Sequence, residues 1–490
     1  MVRRTGWLLC CLAAGCGGDA LRDAHVRAAE APKGAAPPIA PLPGSMPAVA
    51  LDRMPGMGDG PALQSIDARR CATACLPGCT RGDAATRPIW SYAWQDPGDR
   101  GGLDWRGLAD AEGNVYWREI DAALNCTLVS AAPDGTVRYR AQTPCNLWQG
   151  GADAEAFIRG GLFVSAQHGR FVAHDVRDGA MAWTQEQIGP PAGCSVDHPV
   201  AIAASDDALF AVLGVTCGER RGFQLLVLDL ATGAVRARGA PEIDDWIVAD
   251  PLVVADADGA YVRWGLDPRG DTHVDHLFAV DAQGRERWRL TEVVHIDPES
   301  EDEDDLFEPV ALAGGRLFVR GDGAVQVRDA ASGAVLHELP DLPTEFSGPP
   351  LGSWSVTGGG SRAYLVDDGL ALHALDDGAA AWSRAVCRDL GICTTPELLL
   401  TDAGTVLLRA TSADYATETS TTVLTEIGAD GSVRRSCALA GGAGRSVIRD
   451  GMLITRGRDG IVAYRVPGIS EGTSGWTSGG GGPQRGGRPQ

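Results

Sequence analysis

Short runs of β-branched and aromatic residues, separated by turns that end in glycine, follow one another from residue 88 to residue 468. The recurring unit is a strand, an Asp/Ala/Gly turn, and a second strand that often ends near a tryptophan. Clear copies are Val227–Gly233, Phe278–Gly284 with Trp288, and Val327–Gly333. Apolar runs of this length, bounded by turn residues, are typical of β-strands, so the sequence predicts an all-β fold.

The spacing of this unit indicates a repeat architecture. Each unit is preceded by another hairpin pattern, as in Pro251–Val262 and Pro309–Val319. A period near ~50 residues with four strands per unit is typical of propeller blades, and their tight turns favour glycine because φ is positive. The glycines of the turns are residues 135, 179, 233, 284, 333, 378 and 431, with successive differences of 44, 54, 51, 49, 45 and 53.

The two ends of the repeat region predict how the ring closes. An eighth unit, Gly451–Val466, lacks a clear fourth strand, whereas Ile89–Trp94 is a strand pattern without partners of its own. We therefore predict an eight-bladed β-propeller with four-stranded blades, in which the N-terminal strand closes the last blade. Such closure removes the open edge of the sheet.

The repeat resembles a known family. Copies such as Leu228–Gly233 are similar to the A-x-D-x-x-T-G-x-x-x-W pattern of the propeller repeats named after pyrroloquinoline quinone (PQQ) enzymes, and the resemblance covers residues 88–466. The pattern implies the propeller fold and leaves the function open. The family contains quinone-dependent dehydrogenases, a non-catalytic outer-membrane lipoprotein that assists β-barrel assembly, and many other envelope proteins.

The same resemblance indicates what a quinone enzyme would need. Many alcohol dehydrogenases of the family press a disulfide between two adjacent cysteines against the quinone. The adjacent pair of this chain, Cys10 and Cys11, lies in the N-terminal leader, and no aspartate is carried over as a catalytic base. We therefore expect a chain that is not an enzyme and that has no quinone or other cofactor.

The N-terminus has the pattern of an export signal. Arg3 and Arg4 precede a short apolar run that ends in Leu12-Ala13-Ala14-Gly15-Cys16, which resembles the lipobox of bacterial lipoproteins. The run is too short to span a bilayer, and no later segment approaches ~18 apolar residues. The sequence predicts lipidation of Cys16 and membrane association through that anchor only; the alternative is an ordinary secretory signal.

The composition divides the chain into five parts. Residues 1–15 form the signal peptide, and the Ala/Pro-rich residues 16–70 form a flexible tether. Residues 71–87 are a Cys-containing segment that docks on the propeller, which covers residues 88–468. Residues 469–490 are predicted to be a disordered Gly-rich tail.

Ten cysteines remain after the signal peptide and the anchor cysteine are set aside, and an even number in an exported chain favours disulfides. Connections between the second and third strands of a blade, and between successive blades, reach one face of the ring. Strand order therefore predicts Cys126–Cys145, Cys194–Cys217 and Cys387–Cys393. The pairing of Cys71, Cys75, Cys79 and Cys437 stays open, and a zinc site in the first three is the alternative.

The chain is acidic, with a net charge of −21, which argues against a nucleic-acid partner. Seven carboxylates lie within nine residues and repel one another, which predicts a solvated insertion. The alternatives are a calcium site and a site for a cationic ligand, because the segment concentrates negative charge. The seven residues are Asp297, Glu299, Glu301, Asp302, Glu303, Asp304 and Asp305.

Other motifs are weaker. The segment His273-Val274-Asp275-His276 offers metal ligands but fits a solvated loop, and Asp256-Ala257-Asp258-Gly259 resembles the start of a calcium loop but fits a turn. The string Gly468–Gly472 matches G-x-S-x-G without the flanking strand and helix that a nucleophile elbow needs.

The long connections, Asp267–His276, the acidic segment and Ala410–Thr421, should gather on one face of the ring. We predict a non-catalytic lipoprotein of the cell envelope, placed at the outer membrane on its periplasmic or surface side. Its propeller is a protein-interaction scaffold for envelope proteins, with outer-membrane assembly as one role. The alternatives are a calcium-dependent ligand-binding or adhesion module and an enzyme acting on an envelope polymer.

Overall fold

The computed structural model describes most of residues 88–466, together with Gly475 and Trp476. The secondary-structure elements of these residues are all β-strands. Among the described residues there is no helix that is long and apolar enough to cross a membrane. Residues 1–87, 467–474 and 477–490 lie outside the described residues, and so do several loops. The longest of these loops are 95–101, 144–155, 186–192, 296–307, 341–353 and 386–396.

Eight sheets stand around one axis as the blades of a propeller, which confirms the predicted fold class. Strand β1 (Trp90–Ala93) comes first. Blade one contains β2 (Gly102–Ala109), β3 (Val115–Ile120), β4 (Cys126–Ala131) and β5 (Val137–Thr143). Blade two contains β6 (Ala156–Arg159), β7 (Leu162–Gln167), β8 (Arg170–Asp175) and β9 (Met181–Gln185). Blade three contains β10 (Ser195–Ala204), β11 (Ala208–Cys217), β12 (Arg220–Asp229), β13 (Val235–Arg238) and β14 (Glu242–Asp244).

The remaining blades follow the same order from the inner to the outer strand. Blade four contains β15 (Trp246–Ala255), β16 (Ala260–Asp267), β17 (Thr272–Val280) and β18 (Glu286–His295). Blade five contains β19 (Glu308–Ala313), β20 (Arg316–Gly321), β21 (Ala324–Asp329) and β22 (Val335–Pro340). Blade six contains β23 (Trp354–Thr357), β24 (Arg362–Val366), β25 (Ala371–Asp376) and β26 (Ala379–Ala385). Blade seven contains β27 (Glu397–Leu400), β28 (Val406–Asp414), β29 (Thr419–Ile427) and β30 (Val433–Ala440), and blade eight contains β31 (Ala443–Arg449), β32 (Met452–Arg456) and β33 (Gly460–Arg465).

The N-terminal strand closes the ring, as predicted. Strand β1 pairs antiparallel with β33, with Trp90 opposite Ala463 and Ala93 opposite Gly460. Trp90 is buried in a cluster with residues of blades one and eight, including Trp117 and Ile454. The first described strand therefore supplies the outer strand of the last blade.

Neighbouring blades are joined by tryptophans that dock on glycine turns. The Trp90 indole donates a hydrogen bond to the Pro133 carbonyl at 2.9 Å, and a Cβ added at Gly135 would lie 2.7 Å from the ring. Gly135 also has φ +85°, so glycine is needed there both for its backbone conformation and for the close approach of the ring. Equivalent indole hydrogen bonds run from Trp183 to Leu230, from Trp288 to Ala330 and from Trp382 to Ala429.

These tryptophan junctions alternate with junctions of another kind. Tryptophan is in the outer strands of blades two, four, six and eight. In the other four blades, the residue four positions after the turn glycine is not tryptophan; these residues are Tyr139, Ala237, His337 and Arg435. The blades thus meet through two alternating sets of contacts around the ring.

Buried polar groups support one of the junctions without tryptophan. The Nδ1 atom of His174, on β8, lies 3.0 Å from the Gly179 carbonyl oxygen. Its Nε2 atom lies 3.2 Å from the Thr143 hydroxyl of blade one. Burial lowers the pKa of the His174 imidazole, so it is neutral where it joins blades one and two.

The C-terminal tail, which the sequence predicts to be disordered, contributes a short strand. Strand β34 (Gly475–Trp476) pairs antiparallel with the inner strand of blade six, with Trp476 opposite Val356 and Gly475 opposite Thr357. The disorder prediction does not hold for these two residues. The other residues of the tail, the tether and the segment 71–87 lie outside the described residues.

Candidate interaction face

Blades three and seven carry the longest hairpins, and blade four carries the next longest. The second and third strands pair out to Cys217 and Arg220 in blade three, and out to Asp414 and Thr419 in blade seven. In blade four the same strands pair out to Leu266. Since the second strand of each blade runs away from the first-to-second turn, all three tips lie on the face opposite the short turns. We call this the long-hairpin face, and it fits the prediction of one elaborated face.

A disulfide fastens the blade-three hairpin. Cys194 and Cys217 are bonded, as predicted, across a sequence separation of 23. Cys194 directly precedes the inner strand, where Ser195 is opposite Thr216, so the bond ties that strand to the hairpin tip. Cys126 is also disulfide-bonded.

The other predicted cysteine sites fall outside the described residues. Cys145, the predicted partner of Cys126, is among them, together with Cys387, Cys393 and the lipidation site Cys16. Their pairing and lipidation stay predictions.

Glu242 connects blades three and four on this face. It begins β14, a short strand that pairs with the start of β12, where Phe223 is opposite Glu242. One carboxylate oxygen accepts a hydrogen bond from the Trp264 indole at 2.9 Å, and the other lies 2.9 Å from the Arg289 guanidinium. This is the junction in which Ala237 stands in place of a docking tryptophan. The carboxylate and the indole therefore join these two blades instead.

Aromatic rings surround this contact. The Phe223 and Trp264 ring centroids are 5.9 Å apart and the rings are stacked, whereas Trp264 meets Phe278 edge-on at 4.7 Å. The Arg289 guanidinium lies over the Phe278 ring at 4.4 Å, a cation–π distance. The rings reduce the exposure of the ion pair, which strengthens it relative to a pair in free solvent.

His276 lies beside this cluster. Its Nδ1 is 3.0 Å from the Thr291 hydroxyl, and its Nε2 is 3.8 Å from Glu242. Burial has the largest effect on the His276 pKa and lowers it; the Glu242 carboxylate opposes this effect, and the Arg289 guanidinium adds to it. The imidazole is therefore mainly neutral at neutral pH and acts as a hydrogen-bonding group.

A buried ion pair lies on the other side of the same strands. Arg263 of β16 donates from Nε to Asp275 of β17 at 2.9 Å, and their side chains are 2% and 0% exposed. Asp275 follows His273 in the segment that the sequence predicts to be a solvated loop. That prediction is wrong, because the segment lies within β17 and Asp275 is buried there.

The described residues contain no group of three or more His, Cys, Asp or Glu side chains suited to a metal ion. Asp256 forms the predicted turn, since its carboxylate accepts hydrogen bonds from the backbone N–H groups of Asp258 and Gly259. The acidic segment 297–305 lies outside the described residues. It connects His295, at the end of β18, to Glu308, at the start of β19, so both of its ends are on the long-hairpin face.

A family model described as outer membrane protein assembly factor BamB matches residues 81–262 and 273–450, which cover all eight blades in whole or in part. The chain belongs to this family. BamB-family membership agrees with the PQQ-like repeats that the sequence predicts. No curated protein matches the chain.

Solved structures of other proteins are also similar to this BamB-family chain. BamB from Moraxella catarrhalis is 15% identical with a TM-score of 0.45, covering 77% of this chain and 98% of that one. AztD from Citrobacter koseri is 10% identical with a TM-score of 0.42, covering 76% and 90%. Neither likeness bears on function.

Two features of this BamB-family chain had no sequence signal strong enough to predict them. Glu242 lies in a three-residue strand after Pro241, where the pattern fits a loop. Asp275 of the buried Arg263–Asp275 pair lies in the segment that the sequence predicted to be a solvated loop, and charged residues are rarely buried.

Proposed function

We propose that this chain is a non-catalytic lipoprotein of the bacterial cell envelope, and that its propeller is a scaffold for other envelope proteins during outer-membrane protein assembly. Its membership of the BamB family is the observation that carries the proposal. We also propose that it works without a quinone or other cofactor and that it has no nucleic-acid partner, in keeping with its net charge of −21.

The long-hairpin face supports a binding role because a disulfide and side-chain contacts fasten two of its hairpins. The Cys194–Cys217 disulfide and the Glu242 contacts hold the hairpins of blades three and four before any partner arrives. A preformed surface loses less conformational entropy on association than a mobile one. At the blade-three tip, Glu219 and Arg221 are exposed and available for contact.

The test compares two faces of the same ring. Glu219→Ala with Arg221→Ala changes the long-hairpin face, whereas Glu112→Ala with Arg177→Ala changes exposed residues of the short-turn face. Each tagged full-length chain is crosslinked in intact cells, and the bound envelope proteins are identified by mass spectrometry. We expect the first variant to lose partners that the second retains. If the natural chain and both variants recovered the same envelope proteins in equal amounts, binding through this face would be contradicted.

The lipid anchor has a separate test. Cys16→Ser removes the thiol that accepts the lipid, so we expect the protein to move from the membrane fraction to the soluble fraction, as a chain without acyl groups does. A matched Cys11→Ser variant should stay with the membrane. Continued membrane association of Cys16→Ser would contradict lipidation at this residue.

A second candidate function is calcium-dependent ligand binding, because the acidic segment 297–305 connects strands that end on the long-hairpin face. The test is the melting temperature with calcium and with magnesium, for the natural chain and for a variant with Asn and Gln in place of the seven carboxylates. A rise that needs calcium and the carboxylates favours this function. Equal melting favours the scaffold alone.

A further inference from the structure

The inner edge of blade six has a partner from the far end of the chain. In the other blades, the described sheet ends at its innermost strand, which borders the central channel. In blade six, β34 pairs with that strand and extends the sheet to five strands. The tail therefore joins the sheet from the channel side.

The direction of the pairing places the start of β34 on the short-turn face. Val466 ends the last blade on the short-turn face, where its N–H donates to the Gly451 carbonyl. Strand β23 runs towards the same face and ends at Thr357, which is opposite Gly475. Eight residues lie between Val466 and Gly475, and an extended chain of that length reaches about 30 Å. Val466 and Gly475 thus both lie at the short-turn face.

The backbone explains why this edge accepts a strand. The inner strand of a blade leaves a row of N–H and C=O groups facing the channel, and such an edge pairs readily with an added extended segment. Gly472, Gly475 and the run 479–482 have no side chains beyond hydrogen. At Gly475 the backbone of the tail can therefore approach β23 closely.

We propose that the inner edge of β23 is a peptide-binding site that takes an extended, glycine-rich strand, and that this chain's own C-terminal segment around Gly475 and Trp476 is its resident occupant. Backbone pairing gives the affinity, so the site recognises an extended segment by its N–H and C=O groups. The inference does not depend on the proposed envelope function, because it concerns two parts of one chain.

The test uses the full chain. Gly475→Pro with Trp476→Pro removes both backbone N–H groups of β34, so the tail stays attached but cannot pair. The matched control, Gly486→Pro with Gly487→Pro, places two prolines in the same tail beyond the paired residues. A fluorescein-labelled synthetic peptide of residues 468–482 is titrated against each chain, and binding is followed by fluorescence anisotropy.

The resident tail competes with the peptide at an effective concentration of about 1 mM. For a peptide with a dissociation constant of ~100 μM, the natural chain should bind it about tenfold more weakly than the unpaired variant does. The control should behave like the natural chain. Hydrogen exchange at residues 354–357 should be faster in the unpaired variant and slow again when peptide is added. Equal peptide binding and equal exchange in all three chains would overturn the proposal, and so would a control that behaves like the unpaired variant.

Discussion

Trp90 closes the ring, and Trp90→Ala tests how much that closure contributes to stability. The side chain is 8% exposed, and a buried tryptophan removes about 200 Å² from water. At about 25 cal/mol per Å², that area corresponds to about 5 kcal/mol as an upper estimate, and the hydrogen bond to Pro133 adds about 1 kcal/mol. Because alanine retains part of the contact, we expect a loss of about 3–5 kcal/mol.

The assay is equilibrium unfolding in urea, followed by intrinsic fluorescence and by circular dichroism. Trp90→Phe keeps a ring but removes the N–H donor, so its loss should be smaller. Trp288→Ala removes an equivalent docking tryptophan inside the ring, and a larger loss for Trp90→Ala would measure the effect of closure itself. Met181→Ala, at a side chain that is 59% exposed, should change stability by about 0.5 kcal/mol or less. If Trp90→Ala unfolded at the same urea concentration as Met181→Ala, the argument from closure would be refuted.

Three further predictions concern single groups. Gly333→Ala should destabilise by more than about 1 kcal/mol, because the residue has φ +73° and a Cβ would lie 2.9 Å from the Trp288 ring. Urea unfolding checks it, and Gly193→Ala is the comparison for the ring contact, since Gly193 has φ +83° but no atom lies within 4 Å of an added Cβ. Asp275→Ala should cost about 3–5 kcal/mol because it leaves the Arg263 charge buried, and a loss below about 1 kcal/mol would show that water reaches the pair. His174 has a lowered pKa in the folded chain, so the folded state favours the neutral imidazole. The stabilisation that follows from this preference is complete above about pH 6.5 and is lost as the pH falls below that value. His174→Gln should therefore flatten the dependence of the free energy of unfolding on pH below about 6.5.

The agreement between sequence and structure is closest where the information is local. The turn glycines recur at a nearly constant spacing, and each has the positive φ that its turn needs, as at Gly233 and Gly284. Strand alternation and turn chemistry act over a few residues, so the sequence alone predicts the blades. The unpartnered strand at Ile89–Trp94 predicted the closure because a ring of sheets leaves one position for it.

The Cys194–Cys217 bond was predictable for a related reason. Once strand order is known, the face that each connection reaches is also known, and two cysteines on adjacent connections of one blade come together. Strand order does not predict which side chains meet across a junction between two blades. Glu242, Trp264 and Arg289 come from three separate strands, and their contacts depend on how far one blade is shifted against the next.

The sequence by itself therefore determined the repeat, the number of blades, the closing strand and the face that carries the long hairpins. Only the tertiary structure decided which tryptophan docks on which glycine, that Arg263 and Asp275 are buried as a pair, and that Gly475 joins β23. The reason is physical. Turn geometry and strand periodicity depend on neighbours in the chain, whereas junction contacts and added strands depend on distances between residues that the chain separates widely.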